Sequence, residues 1–312
     1  MESIGRRPLK VGLFLPLWEE GTSGRVPSWT EILARAKAAE AVGVDSLWVP
    51  DHLIIRFPDT EPEGVWEGWS FLAALAASTE RVELGQLVTC TAFRNPALLA
   101  KMADTVDEIS GGRLTLGLGA GWHEPEFQAF GYPFDHRVSR FEEAVTIIHG
   151  LLKYGQIDFA GAYYQARDCE LRPRGPRTGG PPIMIGGSGA RVLRLTARFA
   201  DVWNRDFDKV NPEFEPFSPE DLAAWGPRVD AACVEVGRDP ATLERAAAVL
   251  VDLAIAPGRE GWQALTGPPE ELADGLRSYV RAGFSHVQIW LEPSTIAGIE
   301  AFAPVLELLD GS

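Results

Sequence analysis

Between Val11 and Leu309, short apolar runs alternate with helix-like stretches eight times, and that rhythm limits the available folds more than any other feature of the chain. The first run, Val11-Gly-Leu-Phe-Leu-Pro16, has the length and composition of a buried strand and is stopped by proline. A helix follows: Ser28 with Glu31 spells a capping box, Ile32, Ala36 and Ala39 share a face, and Gly43 ends it. Ser46–Pro50, Val82–Cys90 and Leu114–Gly119 are the next strands, and Pro182–Ile185, Asp201–Asn204, Ala247–Ile255 and His286–Leu291 complete the set. Between them lie helices such as the one from Pro96 to Gly111-Gly112 and the one carrying Phe141, Val145, Ile148 and Leu152. A further helix is expected to start at Ser218-Pro219-Glu220. Residues 156–172 break the rhythm; they alternate about Gly161 and are expected to form a small hairpin-like insertion. A length of 312 residues would allow two domains. Eight units with nearly all-apolar strands instead imply parallel strands covered by helices. The expected fold is α/β: a single (β/α)8 TIM barrel over residues 1–312, with the 156–172 insertion and long strand-end loops.

In such a barrel, chemistry sits at the carboxyl ends of the strands. That rule brings together Asp51-His52 after strand two, Thr89 to Thr91 after strand three and Ala120 to His123 after strand four. Gly186 to Gly189 after strand five and Asn204-Arg205 after strand six rim the same mouth. His52 is the acid/base candidate: it titrates near neutrality, follows a strand end and has Asp51 beside it. The bland alternative is a histidine that only bonds loop backbone. His286, at the amino end of strand eight, is expected to be structural, and His149 to face solvent or a neighbouring helix. The roles of His123 and His136, in the loop after strand four, stay open. Gly186-Gly187-Ser188-Gly189, between a strand and a helix start, offers backbone N–H groups for a phosphate. Gly117-x-Gly119-x-Gly121 is not GxGxxG and no helix follows it smoothly, which argues against NAD there.

Composition removes several classes. A net charge of −15 makes nucleic acid and anionic membranes poor partners. No stretch approaches the roughly 20 apolar residues of a membrane span, and the start, MESIGRRPLK, has no apolar signal core, so a cytoplasmic location is expected. Cys90, Cys169 and Cys233 are far apart with no Cys/His cluster, so neither a disulfide framework nor a metal site is expected.

The strand end Leu47-Trp-Val-Pro-Asp-His52, the run Phe93-Arg-Asn-Pro96 and Ile109-Ser-Gly-Gly-Arg113 leading into LGLGAGW form one ordered set of motifs. EPEFQAFGYPF, Arg137 to Glu143 and the later IGGSG continue it. In order and spacing the chain resembles the luciferase-like monooxygenase superfamily, more closely its coenzyme F420-dependent oxidoreductase branch. The resemblance implies a flat deazaflavin at the carboxyl end of the barrel and hydride transfer to or from a small organic substrate. It implies cofactor contacts at Asp51, His52, Val88, Thr89, Ala120, Gly121, Gly186, Gly187 and Ser188, with His52 the catalytic group. A non-proline cis peptide within Leu87-Val88-Thr89 is implied too. The family's sugar-phosphate dehydrogenase has an acidic glutamate after the fourth-strand glycines; Trp122 holds that place here. An apolar substrate pocket walled by Trp122, with Trp18, Trp66, Phe93 and His123, is therefore expected. The same superfamily offers an alternative, an FMN-dependent two-component monooxygenase using oxygen and a partner flavin reductase. A flavin-binding protein without turnover is the non-enzyme alternative. The family leans towards a homodimer.

Overall fold

A computed structural model describes residues 7–19, 24–58, 60–205, 222–253 and 264–311. Eight parallel strands close into a barrel: β1 Lys10–Phe14, β2 Ser46–Val49, β3 Glu83–Gln86, β4 Leu114–Gly119, β5 Ile183–Gly186, β6 Val202–Arg205, β7 Glu244–Asp252 and β8 His286–Glu292. Each strand pairs with its two chain neighbours, and β8 returns to β1 through Lys10 opposite His286 and Leu13 opposite Ile289. The barrel is thus a TIM barrel. Helices α1 Trp29–Ala41, α2 Gly68–Ser78, α3 Pro96–Ser110, α4 Arg137–Tyr154, α5 Ala190–Phe199, α6 Gly226–Glu235, α7 Pro269–Arg281 and α8 Ile296–Asp310 follow the strands in turn.

Strand periodicity sorts the side chains. Val11, Leu13, Leu47, Val49, Leu84, Leu116, Ile185 and Trp203 point out, into one buried cluster with the helices. Phe14, Trp48, Met184 and Ala246 form a separate cluster inside the barrel. Trp48 fits there because Gly12 and Gly85 have no side chain; a Cβ on either would strike its indole. Trp48 Nε1 donates to Ser46 Oγ at 2.8 Å, and Ser46 Oγ lies 2.8 Å from His286 Nε2. Trp48, Ser46 and His286 thus form one buried hydrogen-bonded chain through the Ser46 hydroxyl. His286 is a buried structural residue of the barrel base. His149 packs edge-on against Phe199 with ring centroids 5.3 Å apart, the helix-packing role.

The insertion is a hairpin of Gln156–Ala160 with Gln165–Glu170. Strand three is shorter than its apolar run suggests. It stops at Gln86, the Leu87–Val88 peptide is cis, and Thr89–Cys90 rejoins β4 beside Leu118 and Gly119. Gly117 permits this, since a Cβ there would collide with the Gln86 carbonyl. Residues 52–66 carry a short antiparallel pair, Ile54–Ile55 with Glu63–Gly64, and the loop after β4 contains a helix, Glu124–Phe130. The expected helix start at 218–220 and most of the 205–217 loop lie outside the described residues. Among the described residues no helix is long and apolar enough to cross a membrane.

Candidate functional site

The ends of β2, β3, β4 and β5 are tied together by a few buried contacts. Asp51 is 4% exposed. Its Oδ2 accepts from the Cys90 amide at 2.9 Å and from Arg94 Nη1 at 2.7 Å, while Oδ1 accepts from Arg94 Nη2 at 2.9 Å. Arg94 also donates to Glu67 Oε1 at 2.6 Å. The carboxylate expected to touch a cofactor is therefore engaged in bracing the strand-three end. Burial pushes the Cys90 thiol far up, which removes it as a nucleophile.

His52 stands one residue further on. Its Nδ1 is 3.0 Å from Glu126 Oε1, and Glu126 Oε2 accepts from the Leu53 amide at 2.9 Å. Glu126 is 2% exposed, whereas the His52 side chain is 20% exposed, so a buried carboxylate orients a ring at the rim. Trp122 meets His52 edge-on at 5.6 Å and is 43% exposed, a position at the open side of the site. His123, by contrast, is buried, and its Nε2 accepts from the Arg56 amide at 2.9 Å. Burial holds its imidazole below the usual histidine range, against the pull of Glu126. His123 thus anchors the β2 loop in its neutral form.

Across from His52 the inner face is nearly bare. Val88 projects between two glycines: a Cβ on Gly119 would sit 2.7 Å from its methyl, and one on Gly186 would sit 3.3 Å away. Gly121, at φ +75°, has Cys90 and Phe127 against it, which excludes a side chain; Ala120 beside it is partly buried. Thr89 is buried, its hydroxyl bonded to Gln86, and faces the strand layer. Gly187 adopts φ +137°, and its carbonyl accepts from Trp203 Nε1 at 2.9 Å. Ser188 is partly buried. Gly189 caps α5 with no side-chain bond, so the first amides of that helix are available to an anion.

The aromatic pocket differs from expectation in three members, the buried His123 being one. Trp66 stacks on Phe71 at 6.0 Å and donates to the Pro27 carbonyl at 2.9 Å, on the helix side of the loop. Phe93 is buried with Cys90 and Phe127, beneath the site. Trp18 does belong to a wall, but its companions are Phe14 at 5.4 Å and Trp290 at 5.1 Å. Trp290 was legible from parity, because His286, Gln288 and Trp290 share one face of β8. Glu126 carried only a faint signal, an acid in the first turn of a short helix after a glycine-rich strand end.

With that geometry in place, the relatives of the chain are informative. The family model for luciferase-like monooxygenases matches residues 9–260. The chain is 32% identical over 230 residues to the phthiodiolone/phenolphthiodiolone dimycocerosates ketoreductase of Mycobacterium sp. (strain JLS), covering 67% of this chain and 58% of that one. It is 35% identical over 218 residues to pyrimidine monooxygenase RutA of Methylobacterium radiotolerans, covering 64% and 56%. It thus spans less than two thirds of the length of these relatives. A solved F420-dependent secondary alcohol dehydrogenase, in complex with an F420-acetone adduct, has the same fold, with TM-score 0.80 at 20% identity over 96% of this chain and 99% of that one. A family match across most of its length makes the chain a member of the luciferase-like monooxygenase family.

Proposed function

We propose that this protein is an oxidoreductase that uses coenzyme F420 and moves a hydride between the deazaflavin and a small organic substrate. The observation that carries this is the Glu126-oriented His52 at a mouth whose inner wall is stripped to Val88, Gly119 and Gly186. The residues present fit the group. Gly119 and Gly186 let Val88 stand on the inner wall as a ridge against which a flat ring can rest, and Gly186 to Ser188 with the α5 amides suit its phosphate on a chain of net charge −15. F420 bound there supplies hydride transfer. His52 holds or passes the proton that balances it at a substrate oxygen, with Glu126 fixing the ring through Nδ1. Trp122 shields that exchange from water, and Phe14, Trp18 and Trp290 give the substrate an apolar wall. The absence of a glutamate at position 122 and the aromatic lining argue against a sugar phosphate as substrate.

A second reading keeps the fold and uses reduced FMN and oxygen, with a flavin reductase as partner; 35% identity to a pyrimidine monooxygenase favours it. In either case we propose a cytoplasmic homodimer acting on a small molecule, with no nucleic-acid or membrane partner. Titration with F420 and with FMN, oxidised and then reduced under nitrogen, tests the choice. Preferential binding of F420 without oxygen uptake supports the deazaflavin enzyme. Binding of reduced FMN alone, with oxygen uptake on aeration, supports the monooxygenase. If neither binds, both are wrong.

A further inference from the structure

Two carboxamides lie fully buried inside the barrel. Asn204 of β6 and Gln288 of β8 are both 0% exposed, and Asn204 Nδ2 donates to Gln288 Oε1 at 2.9 Å. That bond uses one half of each amide. The other halves, Asn204 Oδ1 and Gln288 Nε2, have no hydrogen-bond partner among the described residues. Unpaired buried acceptors and donors are costly, and folded proteins keep few of them without a use. The inner face around the pair offers no remedy. Phe14 and Ala246 carry no side-chain polar atom, the Met184 sulfur does not bond to either orphan, and the Trp48 N–H is given to Ser46. The pair also stands level with the Val88 ridge of the inner wall. Asn204 is in register with Gly186, and the nearest atoms to the Cβ that Gly186 lacks are the Val88 methyls at 3.3 Å. One orphan acceptor and one orphan donor, linked side by side, therefore border the bare wall of the site.

We propose that Asn204 and Gln288 are a recognition pair for an amide edge, a carbonyl beside an N–H, on the molecule held in the barrel. Asn204 Oδ1 accepts from the N–H and Gln288 Nε2 donates to the carbonyl, so both orphans are satisfied at once. This rests on a flavin-like ring or its substrate occupying this mouth, but not on which flavin it is. Two sources carry the edge: the pyrimidinedione ring common to F420 and FMN, and a lactam or imide group of a substrate.

The variant to make is Asn204→Leu together with Gln288→Met, which keeps the barrel filled and removes both orphans. Its Tm should equal or exceed that of the parent, since replacing both members of a buried polar pair by apolar groups of similar shape is close to neutral or stabilising. Its Kd for F420 or FMN, whichever the parent binds, should rise by about tenfold or more if the ring is the source. If that Kd is unchanged, uracil titrated into the cofactor-loaded protein separates the rest. Uracil binding that the variant loses assigns the pair to a substrate edge. Unchanged ring affinity with uracil binding that is absent or unaltered overturns the proposal and leaves the pair holding an internal water only. Should the double variant not fold, Gln288→Met alone removes the donor without adding a charge; the same tenfold weakening is expected, and unchanged affinity refutes the idea. A parent that binds FMN and not F420 sinks the F420 assignment while leaving this test intact, because both rings carry the same edge.

Discussion

An imidazole exchanges protons efficiently only when its orientation and tautomer are fixed, and the carboxylate of Glu126 does both for His52. A carboxylate can only accept, so Nδ1 carries a proton towards Glu126. Glu126→Gln should lower kcat/KM by roughly 10- to 100-fold while cofactor Kd moves little, and His52→Ala should lose more. Steady-state rates beside a binding titration check this; an unchanged rate in both variants would mean that the pair only anchors a loop. His52 was legible because it follows a strand end. Glu126 lies 74 residues away, a separation in which no spacing rule operates. Trp66 and Phe93 were misplaced for a related reason: irregular loops have no period, so the side a ring faces cannot be counted out.

At the scale of elements, the site depends on the end of β3, where the chain leaves the ladder at Gln86 and returns at Thr89. The Asp51–Arg94 fork ties that return to β2, and among the described residues Arg94 and the Cys90 amide are what the buried Asp51 carboxylate bonds to. Arg94→Ala should therefore destabilise the fold by about 3 kcal/mol, because it leaves a buried carboxylate uncompensated. Urea unfolding measures this, and a loss below about 1 kcal/mol would show the fork to be dispensable. Gly187→Val should both weaken cofactor binding and lower stability in the same urea titration, since φ +137° suits glycine and the added side chain would crowd Val192 at the turn. The motif residues at these positions were visible in the sequence, but what they brace was not. Arg113 makes the point: it donates to the carbonyls of Ala76, Thr79 and Val82, at the end of α2 and in its link to β3.

For the whole molecule, counting eight strand–helix units pointed to the barrel, and the pairing of the last strand with the first closes it. The filling of its interior was harder to see. Gly12 and Gly85 look like ordinary strand glycines until Trp48 is found lying between them. The base also carries a pH sensitivity. Burial, with Lys10 adding to it, pushes the His286 imidazole down to about 3. The unfolded chain binds that proton near about 6.5, so stability should fall as pH drops from about 6.5 towards 3, by up to about 1.4 kcal/mol per pH unit. His286→Gln should flatten that slope in unfolding titrations; an unchanged slope would place the acid sensitivity elsewhere. The same plug has a kinetic meaning. With Trp48, Ser46 and His286 packed across the amino end, the described residues leave reactants the opposite, carboxyl-end mouth. Two reactants sharing it must queue: whichever lies deeper enters first and leaves last, and steady-state inhibition by product should reveal a compulsory order of traffic.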